Sequence, residues 1–139
     1  MRLFCFGLGY SARRFLAHAG NVEASGATRD ASTANALRRQ GVEAFAFDPA
    51  HPEPAMLRAL AKAQILLVGA PPSAEGDPAL GHLAAEIADA PELKRIVYLS
   101  SVGVYGDHAG GWVEETSAPE PRSARARLRL ATEDQWRAL

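Results

Sequence analysis

Three small residues near the N-terminus, Gly7, Gly9 and Ala12, stand in the spacing G-x-G-x-x-A. The apolar run Leu3-Phe4-Cys5-Phe6 precedes them, and a helical pattern from Ala12 to Ala19 follows. A strand, a tight turn and a helix in that order form a cradle for a pyrophosphate. Gly7 permits the turn, Gly9 lets the backbone approach phosphate without a Cβ in the way, and Ala12 lets the helix pack on the strand. Tyr10 and Ser11 complete the turn, and the helix N-terminus adds free N–H groups and a partial positive charge for an anion. The chemistry implied is the binding of a dinucleotide.

A second signal lies where such a site reads the adenosine ribose. The next strand ends in Thr28-Arg29-Asp30, about 20 residues past the second glycine. An acid there binds the 2′-hydroxyl of NAD, whereas a cation accommodates the 2′-phosphate of NADP. Arg29 comes first, and its planar fork can bond two phosphate oxygens at once. NADP is therefore the preferred cofactor and NAD the alternative. The plainer alternative for Arg29 is a surface arginine at a strand end.

The elements that must position these residues follow from the apolar periodicity. Strands are expected near 2–6, 23–28, 42–47, 64–69 and 95–100, and helices near 10–19, 32–40, 54–62, 78–90 and 123–138. Gly20 and Gly41 read as helix stops. Asp77-Pro78 reads as an N-cap followed by the first helical residue, and Ser123 as the N-cap of the last helix. Ile65-Leu66-Leu67-Val68 and Ile96-Val97-Tyr98-Leu99 are apolar throughout, the mark of parallel strands covered on both faces. The fold class is thus α/β, a doubly wound, mostly parallel sheet of the Rossmann type. Ligands of such sheets lie outside the carboxyl ends of the strands. Those ends carry Gly7 to Ala12, Thr28 and Arg29, Asp48, Ala70 and Pro71 after Gly69, and Ser100 with Ser101. All are expected to line one crevice. Asp48 either bonds an adenine amino group or caps the next turn, and Pro71-Pro72 alone would also explain a turn after the fourth strand. Residues 106–122 form a long loop.

Composition sets bounds. The chain has 139 residues with a formal net charge of −1, enough for one domain and without the charge excess that marks partners such as nucleic acid or an acidic membrane surface. The single cysteine, Cys5, allows no internal disulfide and fits a reducing cytoplasm. There is no secretory pattern at the N-terminus and no apolar stretch near 18 residues. The four histidines, His18, His51, His82 and His108, are dispersed, with no spacing for a metal.

The run Tyr98-Leu99-Ser100-Ser101-Val102-Gly103-Val104-Tyr105-Gly106, with Trp112-Val113-Glu114-Glu115-Thr116 and Pro121, resembles the extended short-chain dehydrogenase/reductase family, the NAD(P)-dependent epimerases and dehydratases. The resemblance spans the whole chain. It implies a nicotinamide cofactor and a small-molecule substrate, with sugar nucleotides within the class, and Ser101 bonding the substrate's hydroxyl or carbonyl. It also implies a Tyr and a Lys four residues apart on the next helix, at the positions held here by Arg125 and Arg129. Arginine stays protonated and cannot pass a proton as a tyrosine does. The pattern therefore looks like the atypical branch of the family. Arg125 and Arg129 either meet an anionic ligand from one helical face or belong to a solvated basic face, where Arg129 and Glu133 would pair.

The resemblance further implies that residues 1–139 are the NAD(P)-binding part of a longer fold, without its later strands and substrate subdomain, and that the protein is a homodimer through the helices near 78–90 and 123–138. His108, beside Asp107, is a minor candidate for proton transfer. Glu114 and Glu115 are adjacent, so in a strand they would point to opposite sides. Two functions follow as expectations. One is an oxidoreductase or epimerase with a non-standard active site and Ser101 as its catalytic residue. The other is an NADP-binding sensor or regulatory module without turnover.

Overall fold

The computed structural model describes residues Met1–Leu139. Five strands, β1 (Arg2–Phe6), β2 (Glu23–Thr28), β3 (Glu43–Ala46), β4 (Ile65–Val68) and β5 (Arg95–Tyr98), form one parallel sheet in the order β3-β2-β1-β4-β5. The order reverses at β1, where a doubly wound sheet opens its crevice. The helices are α1 (Tyr10–Leu16), α2 (Ala31–Arg39), α3 (Pro54–Ala61), α4 (Leu80–Ala88) and α5 (Ala124–Ala138). A short 3-10 turn, Val102–Tyr105, which periodicity did not suggest, follows β5. No helix is long and apolar enough to cross a membrane.

The strand alternation sorts side chains onto two faces. Leu3, Cys5 and Leu67 meet Ala12 of α1 and Ala34 and Leu37 of α2 on one face. Phe4, Phe6, Leu66 and Val68 meet Met56 and Leu60 of α3, Leu83 and Ile87 of α4 and Trp136 of α5 on the other. Each fully buried leucine or isoleucine there contributes about 1.5–3 kcal/mol. Gly26 lets β2 and β1 lie close, since a Cβ on it would stand 2.9 Å from the Cβ of Cys5 and closer still to the Cys5 carbonyl.

The helix boundaries carry the expected chemistry with local adjustments. Gly20 and Gly41 take positive φ after the first two helices. Ser123 accepts the Ala126 N–H at 3.1 Å as N-cap of α5. Asp77 also caps, accepting from Ala79 N at 2.8 Å and Leu80 N at 3.0 Å, but Pro78 lies in the turn before α4 rather than in it. α1 stops at Leu16, so His18 lies just beyond the helix, donating from Nδ1 to the Arg14 carbonyl at 2.9 Å.

The expectation that β5 is covered on both faces is corrected. β5 is an edge strand, and Val97 is 43% exposed. Val97 pairs with Leu67 in register and so shares the α1/α2 face. Helices α1 and α2 cover β1 to β3, and nothing covers that face at β5. An apolar strand reports what it is suited to touch, and here that contact does not come from residues 1–139.

Candidate functional site

Two cavities open at the carboxyl ends of the strands. The first, about 610 Å³, lies across the ends of β1, β2 and β4. Its walls include Gly7, Gly9, Thr28, Arg29, Gly69, Ala70 and Pro71. The turn after β1 is stitched to β2, since the N–H groups of Gly7 and Leu8 both donate to the Ala27 carbonyl, at 3.0 and 3.2 Å. Gly7 has φ +92°, and a Cβ there would stand 2.7 Å from Ala70 N. Glycine is required at that position by both conformation and contact. Ala12 is 2% exposed under α1, as its small size suggested.

Gly9 differs. Its φ of −83° suits any residue, and a Cβ there would meet nothing within 4 Å. Neither backbone conformation nor packing inside the protein calls for glycine at this position. Gly9 is also the N-cap of α1 and supplies no side-chain cap. Tyr10 and Ser11 are exposed and do not line the cavity; Tyr10 is 76% exposed.

At the ribose end, Asp30 is the N-cap of α2. Its carboxylate accepts from Ser32 Oγ at 2.7 Å, Thr33 N at 2.7 Å and Thr33 Oγ1 at 3.0 Å. These hydrogen bonds, with that from Ser32 first, hold its pKa below the usual aspartate value. Asp30 is thus committed to the helix cap, while Arg29 has no carboxylate within ion-pair distance. Asp48 lies outside this cavity, and of its two expected roles the structure displays the turn. Its carboxylate accepts from Ala50 N at 2.9 Å and faces His51 Nδ1 at 3.4 Å, and the Ala50 bond chiefly lowers its pKa. Sequence reasoning missed Arg13, Thr33 and Phe47, which also line the cavity. Arg13 had a signal, because it directly follows Ala12 on the first turn of α1.

The second cavity, about 600 Å³, runs along β5 toward α5. Ser100 and Ser101 line it, together with Tyr98, Tyr105, Glu114, Glu115 and Glu133. The expected single crevice is therefore corrected to two, with Ser100 in the second rather than among the walls of the first. Ser101 Oγ accepts the Gly103 N–H at 3.2 Å and caps the 3-10 turn, which leaves its own O–H free to donate. Ser100 Oγ donates to Glu133, whose carboxylate also meets Arg137 Nη2 at 3.2 Å. Glu114 and Glu115 lie in the loop rather than a strand, so both reach this cavity.

The two α5 arginines separate. Arg125 is exposed. Arg129 is 8% exposed, donates from Nη1 to the Leu99 carbonyl at 2.6 Å and lies 5.9 Å over the Tyr98 ring. The expected shared basic face and the Arg129–Glu133 pair are both corrected: Arg129 turns inward to the end of β5, and Glu133 takes Arg137 instead. Tyr98 Oη is buried without a hydrogen-bond partner, and desolvation raises its pKa. Trp136 Nε1 donates to Asp77 at 3.2 Å, which fixes α5 against α4. His108 is exposed, donates from Nε2 to the Tyr105 carbonyl at 2.9 Å and lines neither cavity. Burial pushes the Cys5 thiol up to about 12, as suits a core side chain. No three His, Cys, Asp or Glu side chains gather as a metal site would require.

An α/β sheet of this topology, with a cleft at the point of strand reversal, defines a Rossmann-type domain. Among solved structures it is similar to a functionally unknown conserved protein from Silicibacter pomeroyi, at 37% identity and TM-score 0.81 over 99% of this chain and 48% of that one. It is also similar to the UDP-glucuronic acid 4-epimerase from Bacillus cereus, solved with a fluorinated UDP-glucuronic acid and NAD, at 16% identity and TM-score 0.69, covering 99% of this chain and 52% of the epimerase. The dTDP-glucose 4,6-dehydratase from Bacillus anthracis, solved with NAD, matches at 15% identity and TM-score 0.70 over 98% of this chain and 49% of that one. The chain has the fold of these NAD-dependent epimerase and dehydratase structures and spans about half their length. No protein-family model and no curated protein matches it.

Proposed function

We propose that residues 1–139 are the NAD(P)-binding part of an epimerase/dehydratase-type oxidoreductase, with NADP preferred over NAD. The observation that carries this reading is Gly9. It lines the cleft, and neither its backbone angles nor its neighbours need a glycine. A phosphate approaching the backbone does need one. In this reading Gly7, Gly9 and Ala70 hold the dinucleotide backbone, and Thr28 and Arg29 hold the ribose end. Asp30 also lines the cleft, but its carboxylate is engaged by Ser32 and Thr33 in the α2 cap, while Arg29 has no carboxylate partner and is left for a phosphate. A bound nicotinamide would supply hydride chemistry. Ser101, with its O–H free, would orient a small-molecule substrate in the second cavity.

One observation favours a second reading, an NADP-binding sensor or regulatory module without turnover. The positions where the resemblance implies Tyr and Lys hold Arg125, at the surface, and Arg129, bound to the Leu99 carbonyl. Neither is placed to pass a proton. Association as a homodimer belongs to both readings, and sedimentation at micromolar concentration tests it; a monomer at that concentration rejects it.

Calorimetric titration with NADPH and with NADH tests the main reading. NADPH is expected to bind more tightly than NADH, and Arg29→Asp to abolish that preference. Failure of both nucleotides to bind overturns the proposal.

A further inference from the structure

We infer that the second cavity takes a small hydroxylated substrate bearing an ammonium group and excludes nucleoside diphosphates, with Glu114 and Glu115 reading the charge. This rests on the reading of that cavity as the substrate site. Its charged wall residues are three acids, Glu114, Glu115 and Glu133, and one cation, Arg137. That cation is already divided between Glu133 at 3.2 Å and Asp134 at 3.1 Å. Neither Glu114 nor Glu115 has a cation within ion-pair distance. The nearby arginines in sequence are engaged elsewhere or lie outside the wall. Arg122 pairs with Asp107, Arg127 donates to the Arg122 carbonyl at 2.8 Å, Arg129 donates to the Leu99 carbonyl, and Arg125 is exposed.

The backbone sets these carboxylates in place. The loop that carries them is closed at its base, where a Cβ on Gly106 would stand 3.3 Å from the Glu120 Cβ and closer still to the Glu120 carbonyl. The Asp107–Arg122 ion pair at 3.4 Å ties the same base. Within the loop, Glu114 N donates to Ser117 Oγ and Ser117 N to the Glu114 carbonyl, both at 3.0 Å. This turn uses the main chain of Glu114 and leaves its carboxylate unengaged. Hydroxyls in the same wall are also left over: Ser101 O–H is free to donate, and the buried Oη of Tyr98 has no partner. A cleft lined by one sign of charge concentrates the opposite sign. An ammonium group brings three donors to carboxylates that lack them. A nucleoside diphosphate would set further negative charge against the same wall.

The test is amide chemical-shift titration of the labelled chain with glucosamine, N-acetylglucosamine and UDP-glucose. It is repeated on the double variant Glu114→Gln/Glu115→Gln and on Glu86→Gln, with thermal unfolding as the check on folding. Glu86 is exposed, lines neither cavity and has no ion pair, so it controls for overall charge. Glucosamine is expected to move the amides of Ser101, Glu114 and Glu115 saturably and to bind more tightly than N-acetylglucosamine, while UDP-glucose leaves those amides fixed. The double variant is expected to weaken glucosamine by about 3- to 10-fold, and Glu86→Gln to match the parent. Added salt should weaken glucosamine more than N-acetylglucosamine. Glucosamine binding that is unchanged in the double variant, or no tighter than that of N-acetylglucosamine, would overturn the inference. Saturable UDP-glucose shifts at the same amides would also overturn it, while keeping the cavity as the substrate site. If none of the three sugars moves these amides, the substrate-site reading falls together with the inference.

Discussion

The carboxyl ends of β1, β2 and β4 and the carboxyl end of β5 are built in opposite ways. The first region is built around small residues, Gly7, Gly9, Gly69 and Ala70, that bring the backbone to the cavity, with Thr28 and Arg29 at one end, and its strands are covered on both faces. The second is made of side chains, serines, tyrosines and carboxylates, among which Ser100, Glu133 and Arg137 are linked by hydrogen bonds. Its strand is an edge with an exposed face. The contrast teaches where specificity can vary. Backbone-built sites recognise what every dinucleotide shares, whereas side-chain-built sites choose among substrates.

Substitutions can break or sharpen this contrast. The largest effect is expected at Gly7, where Gly7→Ala forces a Cβ within 2.7 Å of Ala70 N at φ +92°. A loss of about 2–4 kcal/mol in urea unfolding is expected. Asp77→Ala comes next, because it strands the Trp136 indole N–H and two backbone N–H groups at a residue 3% exposed. Destabilisation of about 2–3 kcal/mol is expected, with a change in tryptophan fluorescence as α5 loosens. Arg129→Met should cost about 1–2 kcal/mol by freeing the Leu99 carbonyl, while exposed Arg125→Ala should stay within about 0.5 kcal/mol; equal effects would restore the shared basic face. Gly9→Ala is the sharpest case. It should leave stability within about 1 kcal/mol yet weaken NADPH and NADH alike; normal binding would remove the main support for a phosphate at Gly9. The smallest effect is at Cys5, whose raised pKa and burial predict that a thiol reagent at pH 8 reacts only as fast as the chain unfolds.

The sequence was most legible where the physics is local. The glycine turn, the five strands and the caps at Asp77 and Ser123 all follow from short-range sterics and hydrogen bonding, and each was visible within a few residues. Tertiary placement was not. Arg125 and Arg129 share a helical face in the sequence pattern, but only packing against β5 draws one inward. Ser100 and Arg29 both follow strands, yet β5 lies two places from β1 and its tip opens a separate cavity. The apolar pattern of β5 was read as the mark of a strand covered on both faces, and periodicity carried no information on whether residues 1–139 supply that cover. Arg13 was legible in position and missed because the motif ends at Ala12.

The most direct measurement is amide chemical-shift mapping of the labelled chain titrated with NADPH. The account predicts that the amides of Gly7, Gly9, Thr28, Arg29, Gly69 and Ala70 move together and saturably, while those of Glu114, Glu115 and Arg137 stay fixed. Shifts confined to the β5 cavity, or no saturable shifts at all, would contradict it.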